Sequence, residues 1–328
     1  MIQPPDFTPL QHQIDLDEQL LSELESAAIA AAERAGAYVA GKFGGVLAVE
    51  EKDDATRSLV SDADRESQRI IAELIAERFP DHQVLGEEDP PATEPPAPDF
   101  VWAVDPIDGT TNFVNALPTY VVSIAALYRG SPVAAALYLP WPNEAGRVIF
   151  HARTGGGAWM GDERIYVKGP LSGSTPQHGR VTMIPIGLTR MFTIGRELGR
   201  SLGEPRVTGS LCYDLLMVAS GRAQALIGSP AAAWDYAGGM LMVKEAGGNV
   251  VVSDVAETGG FLPTWSAFTT FDTAYDETPA TMKRLRAWRR PVIVGAPEIV
   301  GFLASNIQPG RRSLLDRIRR SLLGERHG

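Results

Sequence analysis

The chain has 328 residues, 44% hydrophobic and 21% charged, ordinary values for a globular protein with room for two domains or one large layered one. Its formal net charge of −10 argues against a general nucleic-acid or membrane binder, so an anionic ligand would need cations at its site. A single cysteine, Cys212, excludes an intrachain disulfide and fits a reducing compartment. The N-terminus lacks a basic start followed by an apolar run, and no apolar stretch approaches the roughly 18 residues of a membrane span, so a cytoplasmic location is the expectation.

Residues 15–42 read as a helix, with Asp15, Asp17 and Glu18 near its start and Leu20, Leu21, Leu24, Ala28 and Ala31 at helical spacing before Gly44-Gly45. Residues 51–64 are polar and turn-rich, and Ser61 stands ahead of a second helical run, Arg65 to Phe79. Asp62 and Asp64 at that start fit a dipole-compensating role. His82 to Leu85 reads as a short strand, ending in Gly86-Glu87-Glu88-Asp89, where three acids repel one another unless solvated or bound to a cation. Five prolines within residues 90–99 predict an extended, exposed loop.

That loop leads into the stretch on which the chain centres, Phe-Val-Trp-Ala-Val-Asp-Pro-Ile-Asp-Gly-Thr-Thr-Asn-Phe, residues 100–113. The apolar run Phe100 to Val104 predicts a buried strand that stops at Asp105-Pro106-Ile107-Asp108-Gly109. Two carboxylates three residues apart suit a hard cation, and the backbone N–H groups of Gly109, Thr110 and Thr111 suit a phosphate. A solvated Asp-Gly turn is the plain alternative. A haloacid-dehalogenase-type phosphatase, with D-x-D-G-T, is a poorer match, because D-x-x-D-G-T here would turn the second Asp elsewhere.

Residues 119–139 and 147–168 alternate as antiparallel strands do, and the glycines of residues 154–161 predict a glycine-rich hairpin rather than a dinucleotide site. Residues 170–179, rich in Ser, Gly and Pro, suggest a boundary, dividing the chain at 1–172, 173–308 and a tail, 309–328. Beyond the boundary the pattern predicts a strand Val181 to Ile184, a helix Thr189 to Leu202, a helix Leu211 to Gly221 after Gly209-Ser210, and a strand Ala223 to Ile227. A helix then runs from Trp234-Asp235 to Ala246, where Asp235 could be an ordinary helix cap, and a strand from Val250 to Ser253. Strand–helix alternation indicates an α/β layer. Histidines 12, 82, 151, 178 and 327 make no spaced pair for zinc, and no G-x-S-x-G elbow is present.

Taken together, Gly86-Glu87-Glu88, Asp105-Pro106-Ile107-Asp108-Gly109-Thr110-Thr111-Asn112-Phe113, and Trp234-Asp235 through Glu245-Ala246-Gly247-Gly248 resemble the inositol monophosphatase family, the Mg²⁺-dependent, lithium-sensitive phosphatases. Leu59-Val60-Ser61-Asp62-Ala63-Asp64 and Gly209-Ser210 fit as well, and the resemblance spans roughly residues 15–308. It implies an α/β, α+β layered αβαβα sandwich with an antiparallel-sheet first domain and a mixed second one. It implies two or three Mg²⁺ ions on Glu87, Asp105, Asp108, Asp235 and the Ile107 carbonyl. Thr110, supported by Asp64, would orient and with Glu87 deprotonate the attacking water. Gly109 and Thr110 N–H groups would hold phosphate, with Asp108, Gly209, Ser210 and Asp235 beside the substrate. The implied reaction is hydrolysis of a small phosphate monoester, a phosphorylated metabolite, by a possible homodimer with no nucleic-acid partner. A catalytically idle relative that binds a sugar phosphate or regulates a partner is the other reading.

The sequence departs from that family where the substrate sits. Members acting on inositol carry an acidic residue seven positions before the W-D aspartate, and here that position is Gly228. Fructose 1,6-bisphosphate, histidinol phosphate and adenosine 3′,5′-bisphosphate, substrates of related branches, therefore stay open. Residues 255–291 are longer than the usual connection and carry Lys283, Arg284, Arg286, Arg289 and Arg290, either a solvated helix face or a second-anion subsite. In the tail, Leu314, Leu315, Ile318, Leu322 and Leu323 face away from most of the arginines, predicting a basic amphipathic helix.

Overall fold

The computed structural model describes residues 16–51, 59–88, 96–198, 201–253 and 265–309. The predicted tail helix, most of the proline-rich loop and the first part of the 255–291 connection lie outside the described residues. Helix α1 (Glu18–Lys42) starts at the cap Asp17, whose carboxylate accepts from Gln19 N. A strand pair, β1 (Val49–Glu51) and β2 (Leu59–Ser61), leads into α2 (Asp62–Arg78). This helix begins three residues earlier than its apolar periodicity suggests, because the Ser61 N–H and hydroxyl both donate to Asp64 Oδ2, at 2.8 and 2.6 Å.

The first sheet has seven strands in chain order: β3 (Gln83–Gly86), β4 (Phe100–Asp108), β5 (Val121–Tyr128), β6 (Ser131–Pro140), β7 (Arg147–Arg153), β8 (Gly157–Met160) and β9 (Glu163–Ile165), with the short helix α3 (Thr110–Val114) after β4. Every neighbouring pair is antiparallel except β3 and β4, whose connection is long enough for a parallel crossover. Strand β4 does not stop at Val104 as expected. It continues through Pro106 to Asp108 with a bulge, Asp105 facing Ser123 and Asp108 facing Val121. A residue without an N–H is tolerated there because a bulge leaves one position unpaired. The predicted glycine hairpin joins β7 to β8, with Gly155 and Gly157 at φ +76° and +78°.

The second sheet is mixed, in the order β12-β10-β13-β16-β14-β15. In chain order the elements are β10 (Val181–Met183), α4 (Leu188–Met191), β11 (Phe192–Ile194), β12 (Glu204–Arg206), α5 (Leu211–Ala219), β13 (Ala223–Ala231), α6 (Ala233–Glu245), β14 (Asn249–Ser253), β15 (Trp265–Ala267), α7 (Pro279–Ala287), β16 (Arg290–Gly295), α8 (Pro297–Asn306) and β17 (Ile307–Pro309). The helix expected over Thr189 to Leu202 is a single turn, α4, followed by β11, which pairs antiparallel with β17. Phe192, Thr193 and Ile194 are strand-forming residues that find a partner more than a hundred positions away, a contact that local periodicity does not carry.

The elements stack in five layers, αβαβα. Helices α1 and α2 cover one face of the first sheet, where Leu24, Ala28, Ala31 and Ala35 meet Trp102, Ile124, Ala136 and Tyr138. Helices α5 and α6 fill the space between the sheets: Tyr236, Ala237 and Met240 share a core with Ala103, Ala125 and Leu137 of the first sheet and with Leu226 and Val294 of the second. Helix α8 closes the far side through Ile299, Val300 and Leu303. Buried alanines on α1 let the helix lie close to the sheet, and Gly36 rests so tightly on Tyr138 that a Cβ would come within 2.2 Å of its ring.

Candidate active site

The ends of β3, β4 and β13 and the starts of α5 and α6 converge on one open cleft of about 420 Å³, with the start of α2 behind it. Glu87, Asp105, Ile107, Asp108, Gly109, Thr110, Gly209, Ser210 and Asp235 line it; Asp64 stands behind Thr110, and Thr111 and the basic run of residues 283–290 are not part of the lining. Asp105, Asp108 and Asp64 are buried. The bulge in β4 and Gly109, at φ +91°, set the two aspartates and the following N–H groups in one turn. A Cβ at Gly109 would approach the Thr119 carbonyl to 3.0 Å and Ser210 to 3.1 Å, so the close meeting of the β4 turn with the start of α5 needs glycine.

Asp108 lies against the N-terminus of α5. The Ser210 hydroxyl and the Cys212 N–H (2.6 Å) donate to its Oδ2, and the Leu211 N–H donates to Oδ1 at 3.2 Å. Burial nevertheless raises its pKa, to about 6, those donors opposing the rise and the Glu87 charge adding to it. Asp235 sits in the first turn of α6 and accepts from Ala232 N at 2.6 Å, so it performs the helix-start role and lines the cleft as well. Burial, then the charges of Asp108 and Glu87, push it up to about 7. Asp105 is held well above the usual carboxylate range by burial, by the charges of Glu87, Asp108 and Asp235, and by a hydrogen bond with Glu87. Two carboxylates can share a hydrogen bond only with a proton between them, and a cation is the other species that stabilises them at that distance. Asp105, Glu87, Asp108 and Asp235 are thus hard oxygen donors whose charges interact, a set whose chemistry fits Mg²⁺. Among the described residues no three such side chains already stand around a common ion position; local N–H and O–H donors engage Asp108 and Asp235 instead.

The Thr110 hydroxyl lies 3.2 Å from Asp64 Oδ1 and 3.0 Å from the Ile107 carbonyl. Asp64 also takes both Ser61 donors, so its position is fixed from two sides. Sequence reasoning gave no role to Asn112, which ties the site together: its Nδ2 donates to the carbonyls of Thr119 (2.7 Å) and Thr208 (2.9 Å). Nor did it foresee Asp214, buried and hydrogen-bonded to Thr208 Oγ1 at 2.6 Å, with burial raising its pKa to about 7. The third addition comes from the basic run. Arg284 pairs with Asp272 and Asp276, while Arg286 and Arg289 hold their guanidinium groups 5.8 and 5.3 Å from the centre of the Trp234 ring. Arg286 also donates to the Gly86 carbonyl at 3.1 Å. Three of the five members of the run thus have named partners, and Arg286 and Arg289 reach the residues just before Glu87 and Asp235.

The model of the Inositol monophosphatase family matches residues 20–281. A protein named Nus factor SuhB from Escherichia coli (strain K12) is 34% identical over 241 residues, covering 71% of this chain and 85% of its own length. The protein of the same name from Pasteurella multocida (strain Pm70) is 36% identical over 235 residues, covering 68% and 82%. Among solved structures, the extragenic suppressor protein suhB from Bartonella henselae superposes with a TM-score of 0.62 at 25% identity, covering 85% of this chain and 96% of that one. Among the described residues no helix is long and apolar enough to cross a membrane.

Proposed function

The chain belongs to the inositol monophosphatase family, and from that premise we propose that it hydrolyses a small phosphate monoester with Mg²⁺. The observation that carries the reading is the convergence of Glu87, Asp105 and Asp108, from strand ends of the first sheet, and Asp235, from the start of α6, on a turn rich in N–H groups. In this reading those carboxylates and the Ile107 carbonyl hold two or three Mg²⁺ ions, which neutralise the ester's charge and acidify water when bound. Thr110, anchored by Asp64, orients the attacking water, and Glu87 helps to take its proton. The N–H groups of Gly109 and Thr110 hold the phosphoryl oxygens, and Ser210 keeps Asp108 aimed into the cleft. The chain would act in the cytoplasm, and the division at 173 would put Asp235 on the second domain and the other ligands on the first.

Phosphate release from a panel of monoesters, with and without Mg²⁺, tests this. Asp235→Asn is expected to lower Mg²⁺-dependent turnover about a thousandfold while the protein stays folded; turnover within about tenfold of the parent would sink the assignment. The name Nus factor carried by those relatives supports a second reading, action on a macromolecular partner with hydrolysis idle. A parent protein that releases no phosphate from any ester of the panel would favour it.

A further inference from the structure

Besides its carboxylates, the cleft has an apolar wall. It consists of Ile184, Pro185 and Ile186 after β10, Met191 at the end of α4, and Val207 after β12. Ile186 is 80% exposed and Val207 50% exposed, large apolar surface at the mouth of a charged site. The wall is backed by structure: Ile184 N–H donates to the Arg206 carbonyl at 2.9 Å, and Ile184 and Met191 pack on the core between the second sheet and α8.

Most polar side chains on that side are already engaged, the Ser229 hydroxyl being the exception. Thr208 and Asp214 hydrogen-bond each other, and the Ser210 hydroxyl donates to Asp108. Position 228 offers none, and the fold forbids one: a Cβ there would lie 2.3 Å from the Tyr236 hydroxyl and 2.8 Å from Val292. Tyr236 is fully buried and donates to the Ser229 carbonyl at 2.6 Å, so it cannot give way. A polyol seated here could give one hydroxyl to Ser229 and would leave the others desolvated without partners, at a cost on the order of tenfold in affinity for each.

We infer that the leaving alcohol of the substrate has an apolar body, an alkyl or aromatic ring with few hydroxyls, which rests on Ile184, Ile186, Met191 and Val207. The inference rests on the phosphatase reading and names the substrate class of that same site. The chemistry is unchanged: water oxygen bonds to phosphorus, the ester P–O bond breaks, and the alcohol leaves with a proton beside inorganic phosphate.

Cyclohexyl phosphate and inositol 1-phosphate share a six-membered ring and differ in its hydroxyls, and the poorer leaving group belongs to the cyclohexyl ester. The expected result is a kcat/KM for cyclohexyl phosphate about tenfold or more above that for inositol 1-phosphate, with Mg²⁺ present. Ile186→Asn, at an exposed position that folding tolerates, should reduce that ratio severalfold through the KM of the cyclohexyl ester. Equal or better use of inositol 1-phosphate overturns the inference. If neither these esters nor p-nitrophenyl phosphate releases phosphate, the phosphatase reading falls separately. Titration calorimetry with the two esters then still decides the role of the wall: tighter binding of cyclohexyl phosphate supports it and equal or weaker binding overturns it.

Discussion

At the scale of single residues, Thr110 and Asp214 separate a chemical role from an electrostatic one. The Thr110 hydroxyl reaches both Asp64 and the Ile107 carbonyl, a geometry that orients a donor and adds little to ion binding. Thr110→Ala is expected to lower kcat by about a hundredfold and to leave the Mg²⁺ concentration for half-maximal activity within about threefold; a raised KM at unchanged kcat would contradict the role. Asp214 acts through its charge on the fold. Its folded pKa is raised to about 7 by burial, above the ordinary carboxylate value near 3.9. The folded state therefore holds the proton longer than the unfolded chain, and stability is lost as pH rises from about 4 through 7. Asp214→Asn, isosteric beside Thr208, should make the protein more stable than the parent at pH 8 by on the order of 2 kcal/mol, and by little at pH 4.5. Denaturant titrations of both proteins at the two pH values check this, and an equal difference at both would contradict it.

At the scale of elements, α7 works as a strap. Arg286 joins the Gly86 carbonyl, at the end of β3, to the Trp234 ring, at the start of α6. Each contact lies one residue before a carboxylate of the cleft, Glu87 in one case and Asp235 in the other. Arg286→Ala should therefore weaken the Mg²⁺-induced rise in Tm, needing about tenfold more metal for the same shift, while the metal-free protein loses only about 1 kcal/mol. Lysine there should restore the effect in part, since it keeps the charge over the indole and loses the planar fork. An unchanged Mg²⁺ titration would show that α7 only covers the surface. None of this was legible in the basic run itself, which looks the same whether its arginines face water or a tryptophan fifty residues away. Of the carboxylates, Asp105 and Asp108 stand out by their spacing in one turn after an apolar run, whereas Asp235 reads alone as an ordinary helix cap and joins them only through the family resemblance. Asn112 lay in the most informative string of all and still gave no sign of its task, which depends on Thr208 across the cleft.

At the scale of the whole molecule, the layers follow the sequence patterns closely where pairing is local and depart where it is not. The strands of the first sheet were readable as a meander. The pairing of Phe192–Ile194 with Ile307–Pro309 was not, and neither was the apolar wall, whose residues become a surface only once β10, α4 and β12 are side by side. The same contrast bears on how the chain acquires its structure. From β4 to β9 each strand pairs with the next along the chain, so the loops to be closed are short. The second sheet places β16 between β13 and β14 and needs segments tens of residues apart before any strand has two partners. Closing long loops costs entropy before contacts repay it, so low contact order favours the meander as the first part to fold. In pulse-labelled hydrogen exchange during refolding, amides of β5 and β6 should gain protection about tenfold sooner than those of β13 and β16. Simultaneous protection would instead make the two sheets one cooperative unit. In the expected order, Asp105 and Asp108 are held in place on a finished sheet before Asp235 arrives, and the cleft is the last part of the molecule to exist.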